Sequence, residues 1–263
     1  MWRQDGLCEL QAQKGHDALC QVCREYPRLY LDYGDYAEWG LELSCPEAAR
    51  LIFSEFYAER ESIPCADEAV EEVQYDPDVM HILMQTRRMI LVFLEQADCP
   101  VQEALAVVLM YAHQAQELVD GGTDLSFDWQ KDRAMAYRYV SEGDLQLLLD
   151  FYKELEILTD TWRERLSKPA AGEWDEKIRT LAKYLIRRYW LQAVWDLDLV
   201  CRVKFIIASC IMVHTLGGDT VQTAQLYSKE IENDPDNREA ILDAAYNHPA
   251  FTDVNLLSIL LKK

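Results

Sequence analysis

Glycine and proline are scarce in this chain, at 10 and 8 of 263 residues. Sandwiches and barrels need these residues at regularly spaced turns, so the shortage argues against an all-β fold. Leu, Ala, Glu, Gln and Arg are plentiful instead, and they are strong helix formers. Half of the residues are hydrophobic, which is enough for a sizeable core. We therefore expect an all-α protein.

Positive charge is also in deficit, because 26 Lys and Arg face 46 Asp and Glu, for a net charge of −20. Such a surface repels the phosphate backbone of nucleic acids. The densest basic runs, 87–88 and 187–188, are too short to form a basic patch. We expect no nucleic-acid partner and a basic or lysine-bearing one instead.

Long hydrophobic runs are missing as well. The first residues, MWRQDGLCEL, have no apolar segment typical of a leader. No uninterrupted apolar run approaches the roughly 20 residues that a membrane span needs. We expect no membrane partner and a cytoplasmic location. Thiols stay reduced in the cytoplasm, so clustered cysteines there are more typical of metal binding than of disulfides.

Four of the eight cysteines lie in the first 45 residues: Cys8, Cys20, Cys23 and Cys45. Cys20 and Cys23 are three residues apart, so on a helix they share a face. Four thiolates can hold either zinc or an iron–sulfur cluster. The longer gaps between the cysteines match no common zinc finger. The alternative interpretation is that some of these cysteines serve as small buried hydrophobic side chains. Spacing alone leaves both open.

The stretch SCPE predicts the start of a helix. Ser44 is the expected N-cap and Glu47 completes a capping box, with Pro46 in the first turn. Cys45 then falls at the first helical position, where the helix dipole favours the thiolate that ligates a metal.

Apolar periodicity predicts a helical body after this cap. We expect a cysteine-rich cap over 1–45, a multi-helix bundle over 46–263, a linker near 168–172 and an extended or hairpin-like segment over 29–39. The helix beginning at Cys45 is predicted to run to about 62, and an acidic loop to follow over 63–78. Further helices are predicted over 78–97, 101–119, 144–166, 173–196, 199–216, 220–233, 236–247 and 253–261, with a polar segment before 140. The 199–216 segment is nearly all apolar and is expected to be the central buried helix.

Four cations are candidates for binding a carboxylate: Arg187, Arg188, Arg202 and Lys204. Of these, Arg187 and Arg202 are the ones we expect at a cofactor. Arg202 interrupts the otherwise apolar 199–216 segment, and a buried cation must be paired. The pattern favours an internal salt bridge to Glu230 or Glu232 over a cofactor site.

The segment YSKEIE places Tyr227, Glu230 and Glu232 close together in the sequence. The two glutamates are two residues apart, so they do not share a helix face. Periodicity favours a solvated helix surface. The alternative is a catalytic platform of carboxylates that orients a substrate amine.

The motifs now described resemble those of a known family. DGLCELQ, LCQVCREYPRLY and LELSCPEAARLI are similar to successive motifs of the flagellin lysine-N-methylases. YLIRRYW, RVKFIIAS and AQLYSKEIENDPDN resemble the second half of that family, so the resemblance spans nearly the whole chain. It implies methyl transfer from S-adenosyl-L-methionine to lysine side chains of flagellin, with a four-iron four-sulfur (4Fe-4S) cluster.

The resemblance also implies a ligand set. Cys8 in DGLC, Cys23 in CREYPR and Cys45 in SCPEAAR match cluster ligands of the family, and Cys20 joins them at a position that is less regularly cysteine. The chain has no glycine-rich nucleotide-binding turn, so the methyl donor must be held by other means.

This chain departs from the family's pattern in one respect, at the N-terminus. Members usually carry a further cysteine cluster upstream of DGLC, so we expect either a misassigned start or a shortened member. The alternative function is a non-catalytic metal-binding or adaptor protein derived from the family.

Overall fold

The computed structural model describes residues 8–34, 36–54, 75–123 and 126–262. The expected fold class is confirmed, since the protein is mostly helical with a small two-stranded hairpin near its N-terminus. Within the described residues the strands are β1 (Arg28–Asp32) and β2 (Ala37–Leu41), and the α-helices are α1 (Glu9–Lys14), α2 (Gln21–Glu25), α3 (Pro46–Ile52), α4 (Pro77–Gln96), α5 (Val101–Val119), α6 (Trp129–Tyr139), α7 (Leu145–Glu154), α8 (Asp160–Ser167), α9 (Glu176–Tyr189), α10 (Leu199–Leu216), α11 (Thr220–Tyr227), α12 (Pro235–Asn247) and α13 (Asp253–Leu261).

Helix α10 forms the centre of the core, as its composition predicts. It packs against α5, α9, α12 and α13. By length and composition it is apolar enough to cross a membrane, with a mean hydropathy of 1.8, and it is the one such helix in the described ranges. However, 83% of its residues are buried inside the protein. Burial in the core therefore accounts for its apolar character.

The predicted long helix over 144–166 is wrong in one respect, because it is two helices, α7 and α8. Side chains from the C-terminal third of the chain bind the backbone between them. Asn237 accepts a hydrogen bond from the Glu156 amide at 2.9 Å, and Glu230 accepts one from the Leu158 amide at 2.8 Å. These bonds replace the helical ones, and Thr159 then caps α8.

The polar segment predicted before residue 140 is also wrong, since it contains α6. Asp128 caps this helix by accepting from the amides of Gln130 and Lys131. Its few apolar residues give a weak helical pattern. Polar bonds to α5 hold it instead, including one from Gln114 to Asp132 at 2.6 Å.

The N-terminal cap contains the predicted hairpin. β1 and β2 pair antiparallel with Tyr30 opposite Trp39. Gly34 lies in the connecting turn with a φ of 92°, which favours glycine. Gly15 separates the first helical turns and Pro27 follows α2, as the sequence predicts.

The capping-box prediction at SCPE is wrong by one residue. Cys45 is the N-cap of α3, with Pro46 at the first helical position. Ser44 is buried and contacts other segments instead, and Glu47 pairs with Arg50 at 2.6 Å. Of the helix predicted to about 62 and the acidic loop over 63–78, the part from 55 to 74 lies outside the described residues.

The predicted linker near 168–172 packs closely on the end of α10. The Gly172 amide donates to the His214 carbonyl at 2.8 Å. Gly217 caps α10 with a φ of 63°, and a Cβ there would overlap the carbonyl oxygen of Ala170. This position therefore requires glycine on two grounds.

We expect Gly217→Ala to lower the free energy of unfolding by about 1–3 kcal/mol more than Gly121→Ala does, because only Gly217 adds overpacking. Gly121 is a matched control, since its φ is 93° and a Cβ there would meet nothing within 4 Å. Urea unfolding followed by circular dichroism measures both. Equal losses would show that backbone conformation alone matters at Gly217.

Candidate active-site cleft

A cleft of about 360 Å³ lies between the N-terminal hairpin and the helical body. Its walls come from β1 and the turn after it, from the end of α9 and the residues after it, and from α12. The lining residues are Leu29, Leu31, Asp32, Tyr33, Arg188, Tyr189, Gln192, Trp195 and Arg238.

Strand alternation explains the apolar part of this wall. Leu29, Leu31 and Tyr33 are two residues apart, so they share one face of the hairpin. Tyr30 lies on the other face, where it pairs with Trp39 at a ring-centroid distance of 4.6 Å. That second face is exposed. The hairpin therefore turns its more buried face toward the cleft, and Asp32 alternates with that face but still lines the cleft at the end of β1.

An aromatic pair forms another part of the wall. The Tyr33 and Trp195 rings are nearly parallel, at 10°, with centroids 6.3 Å apart. The ring of Tyr75 meets Trp195 edge-on at 5.6 Å. Tyr33 is buried, whereas Trp195 stays 50% exposed. Trp195 thus offers an open ring surface beside the cleft.

Arg188 is a buried cation in the cleft wall. It donates to the Tyr184 hydroxyl at 2.8 Å, lies 3.3 Å from the Glu232 carboxylate and lies 4.0 Å from that of Glu42. Burial opposes its charge, but the Glu232 carboxylate together with Tyr189 and Tyr184 outweighs burial and holds the pKa of Arg188 well above its ordinary value. Arg188 is therefore a fixed positive charge.

Glu232 balances this charge from beneath the cleft. It is fully buried, and the Tyr189 hydroxyl donates to its Oε1 atom at 3.0 Å. Burial and the negative charge of Glu232 raise the pKa of Tyr189 well above its ordinary value, so Tyr189 stays a donor. The Oε2 atom of Glu232 has no hydrogen-bond partner in the described part of the chain.

Arg238 is the second cation of the wall. It is half-buried and donates to the Glu232 carbonyl at 2.8 Å. Among the described residues, no carboxylate lies within ion-pair distance of it. Its charge is thus not balanced by a neighbouring side chain, in a protein that is strongly acidic overall.

The solvated surface predicted for the YSKEIE segment is wrong. Ser228–Glu232 is a π-helical turn, closed by a bond from the Asn233 amide to the Ser228 carbonyl at 3.0 Å. Its wider winding turns both Glu230 and Glu232 into the core, where each is fully buried. The prediction that the two glutamates do not share a face assumed the geometry of an ordinary α-helix.

The three predicted catalytic residues have different surroundings. Tyr227 is fully buried, with its hydroxyl 2.7 Å from Ser209 and 3.0 Å from Tyr152. Glu230 binds the backbone and the hydroxyl group at the start of α8. Neither lines the cleft. Glu232 does not line the cleft itself but contacts Tyr189 and Arg188, which do.

The two arginines predicted to bind a cofactor do not line this cleft. Arg187 is half-buried and lies 3.7 Å from Glu95. Arg202 forms a bidentate ion pair with Asp196, with N–O distances of 2.7 and 2.8 Å. The favoured internal salt bridge is confirmed in kind, but the partner is neither Glu230 nor Glu232. A cofactor role for Arg187 and Arg202 stays a prediction.

Two of the four N-terminal cysteines, Cys20 and Cys23, form a close pair. Cys20 and Cys23 are exposed. Hydrogen bonds from Cys23 lower the pKa of Cys20, and the Cys20 thiol raises the pKa of Cys23, to which the charge of Cys8 adds. Cys45 is half-buried beside Tyr26.

These thiols do not make a preformed metal site. Within the described ranges, no three His, Cys, Asp or Glu side chains converge as metal ligands. The donor chemistry suits an iron–sulfur cluster, but the arrangement does not fit one without movement of the chain. No catalytic step is therefore assigned to a cluster.

Sequence reasoning missed most of the cleft. Asp32, Gln192, Trp195 and Arg238 carry no motif of their own. Arg188 is the exception, because the sequence singles it out as one of four cations that could bind a carboxylate, and it continues the buried stripe of α9 that includes Ile178, Leu181 and Leu185. A cation on an apolar stripe signals a buried charge that needs a partner.

The two halves of the chain that carry the motifs meet beside the cleft. The Ser44 carbonyl accepts a bond from Gln225 at 2.8 Å, and its hydroxyl accepts one from Asn233 at 2.9 Å. The Leu43 amide donates to the Tyr184 hydroxyl at 3.3 Å. The longer motif LELSCPEAAR is thereby joined to YLIRRYW through Leu43 and to YSKEIEN through Ser44.

Comparison with known proteins gives no match to this chain, whether with family models, with curated proteins or with solved structures.

We expect Glu232→Gln to lower the free energy of unfolding by about 3–5 kcal/mol, because it leaves Arg188 buried without its nearest counter-charge. Glu47→Gln is the matched control. Its pair with Arg50 is exposed and screened by water, so the loss of stability should be much smaller than for Glu232→Gln. Urea unfolding monitored by tryptophan fluorescence compares the two. Similar losses would contradict a structural role for the buried pair.

Proposed function

We propose that this protein is a lysine N-methyltransferase that transfers a methyl group from S-adenosyl-L-methionine to lysine side chains of flagellin. The observation that supports this best is the meeting of the two motif-bearing halves. LELSCPEAAR, YLIRRYW and YSKEIEN carry the resemblance to flagellin lysine-N-methylases, and side chains or backbone groups of all three contact one another. Arg188 of YLIRRYW, which pairs with Glu232 of YSKEIEN, lines the cleft.

The reaction needs a neutral amine in line with a sulfonium methyl group. Asp32 is the exposed carboxylate of the cleft, and its Oδ1 atom is oriented by the Gly34 amide at 2.9 Å. In the proposed mechanism it holds the lysine ammonium and accepts its proton. The freed nitrogen pair attacks the methyl carbon as the carbon–sulfur bond breaks, leaving that electron pair on sulfur. The products are methyl-lysine and S-adenosylhomocysteine.

The remaining residues of the site position these groups. Glu232 fixes Arg188 in the wall, and Tyr189 fixes Glu232. Tyr227 and Glu230 hold the π-helical turn that carries Glu232. The net charge of −20 also favours approach of a lysine-bearing protein surface.

We expect purified protein to add methyl-group mass increments to flagellin lysines when S-adenosyl-L-methionine is supplied. Asp32→Asn should lower kcat/KM by about 100-fold or more, because the variant cannot accept the ammonium proton. Its rate should recover toward pH 10, where lysine loses its proton without help. Mass spectrometry of flagellin peptides measures both effects.

Asp98→Asn is the control, since Asp98 is exposed and does not line the cleft. It should methylate flagellin like the unmodified protein. Flagellin binding without methyl transfer by the unmodified protein would contradict the proposal. That result would favour the alternative, a non-catalytic adaptor.

A 4Fe-4S cluster held by Cys8, Cys20, Cys23 and Cys45 is a separate part of the proposal, which the motif resemblance supports. We expect anaerobic reconstitution to give about four irons and four sulfides per chain, since one such cluster takes four thiolates. Cys23→Ser and Cys45→Ser should each lower this content, whereas Cys99→Ser should not. Iron and sulfide analysis with absorption spectra measures it. Equal iron in all the variants would overturn this ligand set.

A further inference from the structure

The cleft combines three kinds of chemistry in one wall. Arg188 and Arg238 are cations, Trp195 is an open aromatic ring, and Leu29 and Leu31 are apolar. Its volume of about 360 Å³ lies within the roughly 300–1,000 Å³ typical of small-molecule sites. This set suits a ligand that joins a carboxylate to a flat aromatic ring.

Arg238 is the strongest indication of an anionic group. Its single hydrogen bond among the described residues goes to the Glu232 carbonyl, so its other donors are available to a ligand. Arg188 lies in the same wall and is only 8% exposed, held there by Glu232 and Tyr184. A guanidinium fixed in this way binds a carboxylate with little loss of side-chain entropy.

Trp195 provides the second contact. One neighbour, Tyr33, lies parallel to it and the other, Tyr75, meets it edge-on, so the indole is held in place while half of it stays exposed. A purine ring can stack on such a surface. The same rings attract a nearby sulfonium through their negative faces.

We propose that this cleft is the methyl-donor site. Arg238 and Arg188 bind the carboxylate of the methionine part of S-adenosyl-L-methionine, and the adenine ring stacks on Trp195. This inference rests on the proposed function for the identity of the ligand. Two arginines and a tryptophan then hold the methyl donor, which a glycine-rich turn holds in an ordinary nucleotide-binding fold.

The cavity beside Arg202 is a poorer place for this ligand. Asp196 already occupies the guanidinium of Arg202. Asp198, Glu239 and Asp243 also line that cavity, and their charges repel a carboxylate. Asp32 is the one carboxylate among the described lining residues of the larger cleft, and there Glu232 balances Arg188 but leaves Arg238 available.

Calorimetric titration of the full chain with two probes tests the proposal. S-adenosylhomocysteine carries the amino-acid carboxylate, whereas 5′-methylthioadenosine lacks it. We expect Arg238→Gln to weaken S-adenosylhomocysteine binding by about 10- to 100-fold, the effect of a lost charged hydrogen bond, and to leave methylthioadenosine binding unchanged. Trp195→Ala should weaken both probes about 10-fold or more.

Arg163→Gln is the matched control, because Arg163 is exposed and its one ion pair within the described residues is with Asp160. It should bind both probes like the unmodified protein. Arg238→Lys keeps the charge and should recover part of the affinity. Circular dichroism confirms that each variant is folded before titration.

Flagellin methylation measured on the same samples separates this inference from the proposed function. If Arg238→Gln and Trp195→Ala bind S-adenosylhomocysteine normally while flagellin is methylated, the function stands and the site is overturned. If binding depends on both residues without any methylation, the site stands and the function fails. Absence of binding and of methylation overturns both.

Discussion

The buried ion pair of Arg188 and Glu232 is the interaction on which the rest of the site depends. Two opposite charges leave water at considerable cost, and only close geometry with further hydrogen bonds offsets that cost. Here Tyr184 and Tyr189 supply those bonds. Each partner comes from a different motif-bearing segment, so the pair can form only when α9 and the π-helical turn are in place. The pair therefore links correct packing of the body to correct placement of a cation in the cleft.

The sequence predicted the helical body well because its helices bury continuous apolar stripes. Helices α5, α10 and α13 were predicted with the bounds that the structure shows. Where polar bonds take over from apolar burial, the prediction failed. Glu230 and Asn237 divide α7 from α8 by binding backbone amides far away in the sequence. No local pattern contains that information, since the partners are more than 70 residues apart.

The site was harder to predict than the fold for the same reason. Its residues come from the hairpin, from the end of α9 and from α12, and none of these segments carries a ligand-binding motif alone. The sequence singled out Glu232 as a candidate catalytic residue, and that role stays a prediction. A carboxylate platform at the surface was considered, whereas a buried counter-charge is present. The π-helical turn causes this difference, because it changes the direction of every side chain within it.

The position of the cleft between the hairpin and the helical body has a thermodynamic consequence. Leu31 and Tyr33 come from one side and Arg238 from the other, so a molecule that touches both sides binds only the docked arrangement. By linkage, occupancy then adds RT ln(1 + [L]/Kd) to the free energy required to detach the hairpin. The cysteine segment immediately precedes β1 in the chain. A ligand that holds the hairpin against the body therefore also restrains one end of the cysteine segment.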